Sequence, residues 1–128
     1  MMRLTIVKLF VKDQEEARQF YVDKLGFVVS EDNQLGDYRW LLVRPPDTQE
    51  VAINLEPAKT EQQRALVGQQ GGGLAIFGLA TDDCRRDYRA MKARGVVFEG
   101  EPKRMPYGTG VLLQDLYGNK LYLNEDVP

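Results

Sequence analysis

Alternating apolar and polar residues predict that the chain begins with a strand over residues 4–11. A strand in a small protein packs one face against another element, so the alternation predicts one face toward a helix and one away from it. The face predicted to pack on a helix carries Val7 and Leu9. The opposite face carries Leu4, Ile6, Lys8 and Phe10.

Helix signals follow directly after this strand. Asp13 with Glu16 three residues later is a pattern that caps the first turn of a helix, and Leu25-Gly26 is a pattern that ends one. The apolar stripe between these signals consists of Ala17, Phe20, Tyr21 and Leu25. Three further strands are predicted at about residues 27–31, 37–43 and 50–56, separated by turn residues at 33–36 and 45–47. The first half therefore has the order βαβββ.

The same order recurs in the second half of the chain. Residues 57–73 show no strand pattern and form a predicted linker, in which Thr60 and Gln63 are placed to cap a short helix. A strand over 74–80 and a helix from Asp83 to Gly95 come next, followed by strands at about 96–99, 109–114 and 120–124. The helix is predicted to face inward with Cys84, Tyr88 and Met91. We interpret the chain as one domain, residues 1–128, of two tandem modules at about 1–56 and 74–128.

Composition and charge exclude several classes of function. The 128 residues carry 17 basic and 19 acidic side chains, a net charge of −2, so nucleic acid is not an expected partner. No apolar stretch is long enough to cross a membrane and no signal peptide is evident, which favours a cytoplasmic protein. One cysteine excludes an internal disulfide. The absence of histidine removes the commonest metal ligand and general base.

Six short motifs together point to a known family. They are Val11-Lys12-Asp13, Phe20-Tyr21, Leu25-Gly26-Phe27, Ala93-Arg94-Gly95-Val96, Pro106-Tyr107-Gly108 and Asp115 to Asn119. In this order the chain resembles the vicinal oxygen chelate superfamily, which includes glyoxalase I, extradiol dioxygenases and bleomycin-binding resistance proteins. The resemblance implies an α+β fold in which two βαβββ modules form a curved, barrel-like mixed sheet with a central cavity and helices outside. It also implies a homodimer.

The resemblance further implies where relatives hold a metal ion. Their ligands stand on the first and last strand of each module, at positions that match Ile6, Asn54, Ile76 and Tyr122, with Glu56 an alternative to Asn54. Isoleucine has no lone pair to donate, and an amide and a phenol are weak ligands without anionic partners. We therefore expect no metal ion and no cofactor.

A small-molecule ligand is the expected partner, and eight residues are predicted to line its site. They are Ile6, Lys8, Phe10, Trp40, Asn54, Ile76, Tyr107 and Tyr122. Trp40 and Tyr107 would stack on a flat ligand, although aromatic residues more often belong to a core. Lys8 would bind an anionic group, act as a base or reach water. Asn54 and Tyr122 would contact the ligand or form internal hydrogen bonds.

Three functional hypotheses remain open from the sequence. The first is a metal-free protein that binds and sequesters a drug-like or metabolic small molecule. The alternative is a lyase, epimerase or dioxygenase of the same superfamily with unconventional ligands or catalytic residues, for instance Lys8 or Tyr122. The third is an interaction module that has lost its ligand.

Overall fold

Residues 1–127 are described by a computed structural model, and they divide into two units at residues 68 and 69. Unit 1 contains β1 Ile6–Val11, α1 Gln14–Gln19, a π-helical segment Phe20–Lys24, β2 Val28–Leu35, β3 Tyr38–Arg44, β4 Ala52–Pro57 and α2 Glu61–Leu66. Unit 2 contains β5 Ala75–Ala80, α3 Cys84–Ala93, β6 Val97–Phe98, β7 Lys103–Met105, β8 Gly108–Gln114 and β9 Lys120–Asp126. No helix among residues 1–127 is long and apolar enough to cross a membrane.

Each unit has its own mixed sheet. The strand order in unit 1 is β1-β4-β3-β2, with β1 parallel to β4 and the other pairs antiparallel. The order in unit 2 is β5-β9-β8-β6, with β5 parallel to β9, while β7 also pairs with β8. The predicted α+β class and the tandem βαβββ order are therefore confirmed, and the strands form two separate sheets.

The two sheets repeat the same register. Lys8 pairs with Asn54 and Asn54 with Leu42 in unit 1, while Gly78 pairs with Tyr122 and Tyr122 with Leu112 in unit 2. Counting along the strands from these pairs defines equivalent positions in the two units. These are Lys8 and Gly78, Tyr38 and Gly108, Trp40 and Gly110, Asn54 and Tyr122, and Glu56 and Asn124.

Two strands differ from the prediction. The strand β2 continues to Leu35, and the turn to β3 is only Gly36-Asp37, because Gly36 adopts the positive φ of +63° that a two-residue hairpin turn requires. The strand β7 was not predicted. It pairs with β8 beyond β6, so β6 and β7 together occupy the place that β2 has in unit 1. Pro102 lies in the gap between them, where a missing N–H interrupts pairing.

The predicted helix caps are confirmed. The side chains of Asp13 and Asp83 accept hydrogen bonds from the backbone N–H groups of Glu16 and Arg86. Thr60 and Gln63 form a reciprocal capping box at the start of α2. The first helix departs from α geometry after Gln19, since the next five residues form a π-helical segment before Leu25.

Each sheet packs one face against its main helix. Arg39, on the same face as Leu41 and Val43, forms an ion pair of 3.2 Å with Glu15 of α1, which identifies that face as the helix side. The core on this side consists of Leu9, Val11, Ala17, Tyr21, Leu41, Val43 and Leu55, all fully buried. In unit 2 the N–H of Cys84 donates to Glu125 at 2.8 Å, so the helix side carries Leu121, Leu123 and Glu125. The predicted inward stripe Cys84, Tyr88 and Met91 is buried.

Candidate ligand-binding faces

The side of the unit 1 sheet opposite α1 brings aromatic and polar side chains together, and we call it the polar face. Alternation along the paired strands places its defining residues on this side, namely Lys8, Tyr38, Trp40, Asn54 and Glu56. The helix side is occupied by aliphatic residues, so a single shift in register would exchange the two sets. The face is therefore a direct consequence of the period of two in β1, β3 and β4.

Lys8 is held by two neighbours from β4. Its ammonium group donates to Asn54 Oδ1 at 2.8 Å and lies 3.2 Å from Glu56 Oε1. The Lys8 side chain is half exposed, whereas Asn54 is fully buried. Asn54 also donates from Nδ2 to the carbonyl oxygen of Leu41 at 3.4 Å. Of the two alternatives for Asn54, the structure shows the internal hydrogen bonds.

Tyr38 completes this cluster from the central strand β3. Its hydroxyl donates to Glu56 Oε1 at 2.6 Å, so Glu56 accepts from a phenol and an ammonium group at the same oxygen. Desolvation by burial, followed by the neighbouring Glu56 carboxylate, raises the pKa of Tyr38 above its usual value. The phenol is therefore a hydrogen-bond donor at neutral pH. The ammonium group of Lys59 lies 5.8 Å from the centre of its ring.

Trp40 lies beside Tyr38 on the same face. The two ring centres are 6.4 Å apart with an angle of 43° between the rings, and Trp40 is only partly buried. The indole N–H donates to Glu31 on β2 at 3.1 Å, which fixes the orientation of the ring. The polar face thus presents two adjacent, oriented aromatic rings next to a hydrogen-bonded ion pair.

The equivalent side of the unit 2 sheet, opposite α3, is built differently, and we call it the glycine-rich face. It carries Gly78, Gly108, Gly110, Tyr122 and Asn124. A Cβ atom on Gly110 would stand 2.0 Å from the hydroxyl oxygen of Tyr122, so the tyrosine ring occupies the side-chain space of that position. Trp40 holds the equivalent position in unit 1.

Tyr122 and Tyr107 meet through their hydroxyl groups. The Tyr122 hydroxyl donates to that of Tyr107 across 3.4 Å, and Tyr107 is exposed in the turn before β8. The hydrogen bond to Tyr107 and desolvation raise the pKa of Tyr122 to about 12. Tyr107 and Tyr122, which the sequence predicts to line one site, therefore lie together within unit 2.

Three predicted residues contribute apolar surface only. Ile6 is 40% exposed at the start of β1, and Phe10 is partly buried on the same strand. Ile76 packs a methyl group on the glycine segment before β5, where a Cβ on Gly71 would stand 2.6 Å from it. Their place in a ligand site stays a prediction.

The side chains do not fit the metal site that the resemblance implies for relatives. Ile6 and Ile76 offer no donor atom, and Asn54 Oδ1 is already directed at the Lys8 ammonium group, a cation. Within residues 1–127, no three histidine, cysteine, aspartate or glutamate side chains lie close enough to share a metal ion. We therefore assign no step in the function of this chain to a metal ion.

Four residues of these faces lie outside the set of eight that the sequence predicts. Glu56 is only an alternative to Asn54 in the sequence prediction and Tyr38 is not among the eight predicted residues, yet these two side chains form the shortest contact of the polar face. Glu31 and Asn124 were not predicted at all. The available signal was strand periodicity, since Glu56 and Asn124 each follow a predicted site residue by two positions.

Comparison with known proteins identifies the family. A sequence profile of the Glyoxalase/Bleomycin resistance protein/Dioxygenase superfamily matches residues 3–123. The chain belongs to this superfamily. An uncharacterized protein of Shewanella frigidimarina is 39% identical over 127 residues, covering 95% of this chain and 94% of that protein.

Two solved structures share the fold of this chain over almost its whole length. The crystal structure of UcmS2 matches with a TM-score of 0.86 and 34% identity, covering 97% of this chain and 98% of UcmS2. TnmS3, an antibiotic binding protein from Streptomyces sp. CB03234, matches with a TM-score of 0.77 and 28% identity. That match covers 99% of this chain and 98% of TnmS3.

Proposed function

We propose that this superfamily member binds a small organic molecule with an aromatic ring on the polar face of unit 1, without a metal ion. The observation that carries the proposal is the pair of oriented rings, Tyr38 and Trp40, beside the Lys8–Glu56 ion pair. A small-molecule site typically combines apolar and aromatic walls with a few polar groups of fixed direction, and this face supplies both.

The chemistry of the face defines the class of ligand. Trp40 offers a partly exposed indole ring whose N–H is already held by Glu31, so its ring surface is the part available for stacking. Lys8 is half exposed and oriented by Asn54 and Glu56, which suits contact with an oxygen atom of the ligand. We therefore propose a planar aromatic compound with an oxygen-bearing substituent.

The relatives favour a drug-like ligand. TnmS3 is an antibiotic binding protein. The name of the superfamily includes bleomycin resistance proteins beside glyoxalases and dioxygenases. Binding and sequestering a ligand requires a shaped, pre-organised face but no proton transfer. This supports a binding role for the present chain, with an antibiotic-like or metabolic molecule as its ligand.

Tryptophan emission tests the proposal, because Trp40 is the only tryptophan in the chain. Nitroaromatic compounds quench indole on contact, so 4-nitrobenzoate and 4-nitrobenzyl alcohol are suitable probes, and bleomycin is included because the superfamily takes part of its name from bleomycin resistance. We expect saturable quenching or a spectral shift with at least one of them. Saturable binding by calorimetry with unchanged Trp40 emission would place the ligand elsewhere.

Lys8→Met provides the matched variant. If the Lys8 ammonium contacts an oxygen of the ligand, its loss should weaken binding of 4-nitrobenzoate about tenfold, since a hydrogen bond to a charged group contributes about 1.5–3 kcal/mol. Arg89→Met is the control, because Arg89 is an exposed cation on α3. Equal effects of the two substitutions would contradict a specific role for Lys8.

Some expectations from the sequence remain proposals. We propose a cytoplasmic homodimer, and we retain Ile6, Phe10, Ile76 and Tyr107 as candidate ligand contacts. The division into modules at about residues 1–56 and 74–128 within one domain also remains a proposal.

A further inference from the structure

A small cavity lies on the helix side of the unit 2 sheet, at the end of the sheet where α3 begins. Its volume is about 190 Å³, and its lining includes Arg104 of β7, Thr109 of β8, Glu125 of β9 and Val127. Glu125 marks the side of the sheet, because its carboxylate accepts a hydrogen bond from the N–H of Cys84, the first residue of α3. The cavity is therefore on the side of the sheet away from the glycine-rich face.

Strand pairing places three of these side chains in one row. Arg104 is the cross-strand partner of Thr109, and Thr109 is the partner of Glu125. Directly opposed residues of antiparallel strands point to the same face, so a cation, a hydroxyl and a carboxylate follow one another across the sheet. Neighbouring strands are about 4.8 Å apart, which puts the backbones of Arg104 and Glu125 about 10 Å from each other. The row therefore carries opposite charges at its two ends.

These two charges are not paired with each other. In the part of the chain that the structure describes, the Arg104 guanidinium group forms no ion pair or hydrogen bond. Glu125 uses Oε1 for the Cys84 N–H at 2.8 Å, and its Oε2 accepts no hydrogen bond from these residues. Asp126 also borders the cavity, but its Oδ1 accepts from the side-chain amide of Asn124 at 3.2 Å. The cavity thus holds a cation and a carboxylate oxygen that both have hydrogen-bonding capacity to spare.

We propose that this cavity binds a small amino acid, whose carboxylate pairs with Arg104 and whose ammonium group pairs with Glu125. A guanidinium group presents its donors in a planar fork that matches a carboxylate, and a carboxylate accepts charge-assisted hydrogen bonds from an ammonium group. The Thr109 hydroxyl lies between them and both donates and accepts. A ligand with both charges satisfies both ends of the row, whereas an ion of one sign would meet a repelling charge at one end.

The volume of the cavity limits the size of this ligand. About 190 Å³ is the space of roughly six water molecules at about 30 Å³ each. Amino acids with a short carbon chain, such as glycine, β-alanine and 4-aminobutyrate, have a similar number of non-hydrogen atoms. Pro106 and Val127 add apolar groups to the lining, and these suit a short methylene chain between the two charges.

The inference goes beyond the proposed function and does not depend on it, because the polar face belongs to unit 1 and this cavity to unit 2. The readout is the pair of backbone amide signals of Cys84 and Thr109 in ¹H–¹⁵N correlation spectra. The Cys84 N–H donates to Glu125, so its signal reports on that carboxylate. Emission of Trp40, in unit 1, should stay unchanged when the amino acid binds.

Matched ligands test the requirement for both charges. Glycine, β-alanine and 4-aminobutyrate are each compared with the acid that lacks the ammonium group and the amine that lacks the carboxylate. The matched sets use acetate and methylamine, propionate and ethylamine, and butyrate and propylamine. We expect at least one amino acid to shift the Cys84 and Thr109 signals saturably and to bind at least about tenfold more tightly than both of its single-charge partners. No saturable shift with any of the three amino acids, or equal affinities within every set, would overturn the proposal.

Two substitutions separate the two ends of the row. Arg104→Gln should lower the affinity of the active amino acid about tenfold, toward that of its amine partner. Glu125→Gln should lower it as much, toward that of its acid partner, and it retains an oxygen to accept from the Cys84 N–H. Lys103→Gln is the control, because Lys103 is the adjacent cation on β7 and points to the opposite face. Equal losses in Lys103→Gln and Arg104→Gln, or unchanged affinity in Glu125→Gln, would also overturn the proposal.

Discussion

Replacing Gly108 by alanine is expected to lower the free energy of unfolding by about 3 kcal/mol or more. A Cβ at this position would stand 2.2 Å from the backbone carbonyl oxygen of Glu125, and Gly108 has a φ of +141°. Because the obstacle is the backbone of the paired strand β9, no side-chain rotation relieves it. Urea denaturation followed by circular dichroism measures the loss.

The control for this prediction is Gly118→Ala. Gly118 also has a positive φ, +90°, but a Cβ there would meet no atom within 4 Å. Its replacement should therefore cost only the conformational penalty, about 1–2 kcal/mol. Equal losses for the two variants would show that the close approach of β8 and β9 at Gly108 does not constrain the fold.

Removing Tyr21 should destabilise the protein far more than removing Trp40. Tyr21 is fully buried and makes edge contacts with Phe20 and Phe27, with ring centres 5.5 and 5.4 Å apart. Tyr21→Ala should cost about 3–5 kcal/mol, as for other large residues removed from a core. Trp40 is partly buried on the opposite face, so Trp40→Ala should cost less than about half of that.

The contrast between these two aromatic residues separates core from site. If Trp40 belongs to a binding face, its removal should weaken ligand binding at least about tenfold while the thermal transition stays cooperative. Both variants are measured by calorimetric unfolding and by calorimetric titration with the probe that quenches Trp40 of the wild type best. A loss of stability in Trp40→Ala equal to that in Tyr21→Ala would assign Trp40 to the core.

Local patterns predicted where the helices begin and which face of the strand β1 packs in the core. Asp13, Thr60 and Asp83 cap helices through contacts within three residues, so sequence spacing alone contains the information. Alternation along β1 predicted which of its faces packs in the core, because Leu9 and Val11 are two positions apart and therefore lie on the same face, where both are buried. The internal repeat then extended these predictions to unit 2.

Contacts between strands could not be predicted in the same way. Lys8, Tyr38 and Glu56 meet because β1, β4 and β3 are neighbours in the sheet, and that order is set by topology rather than by any local spacing. The strand β7 depends on pairing with β8, and its three residues carry no strand signal of their own. The cavity beside β7 likewise becomes visible only when the pairing of β7 with β8 and of β8 with β9 is known.

The large aromatic residue stands on a different strand in each unit. Unit 1 has Trp40 on its central strand and the smaller Asn54 on β4, whereas unit 2 has Gly110 and Tyr122 at the equivalent positions. Tyr122 fills the space that Gly110 leaves, which explains how a repeated fold can keep one face polar and aromatic and make the other rich in glycine. The faces are therefore suited to different chemical groups.

Calorimetric titration in the presence of EDTA tests the central claim most directly. The titrant is whichever of 4-nitrobenzoate and 4-nitrobenzyl alcohol quenches Trp40 saturably, because neither chelates metal ions as bleomycin does, and the protein is compared with Trp40→Ala. We expect the same affinity with EDTA as after addition of zinc, nickel or manganese, and at least about tenfold weaker binding in Trp40→Ala. Binding that requires an added metal ion, or that survives unchanged in Trp40→Ala, would contradict a metal-free ligand site on the polar face.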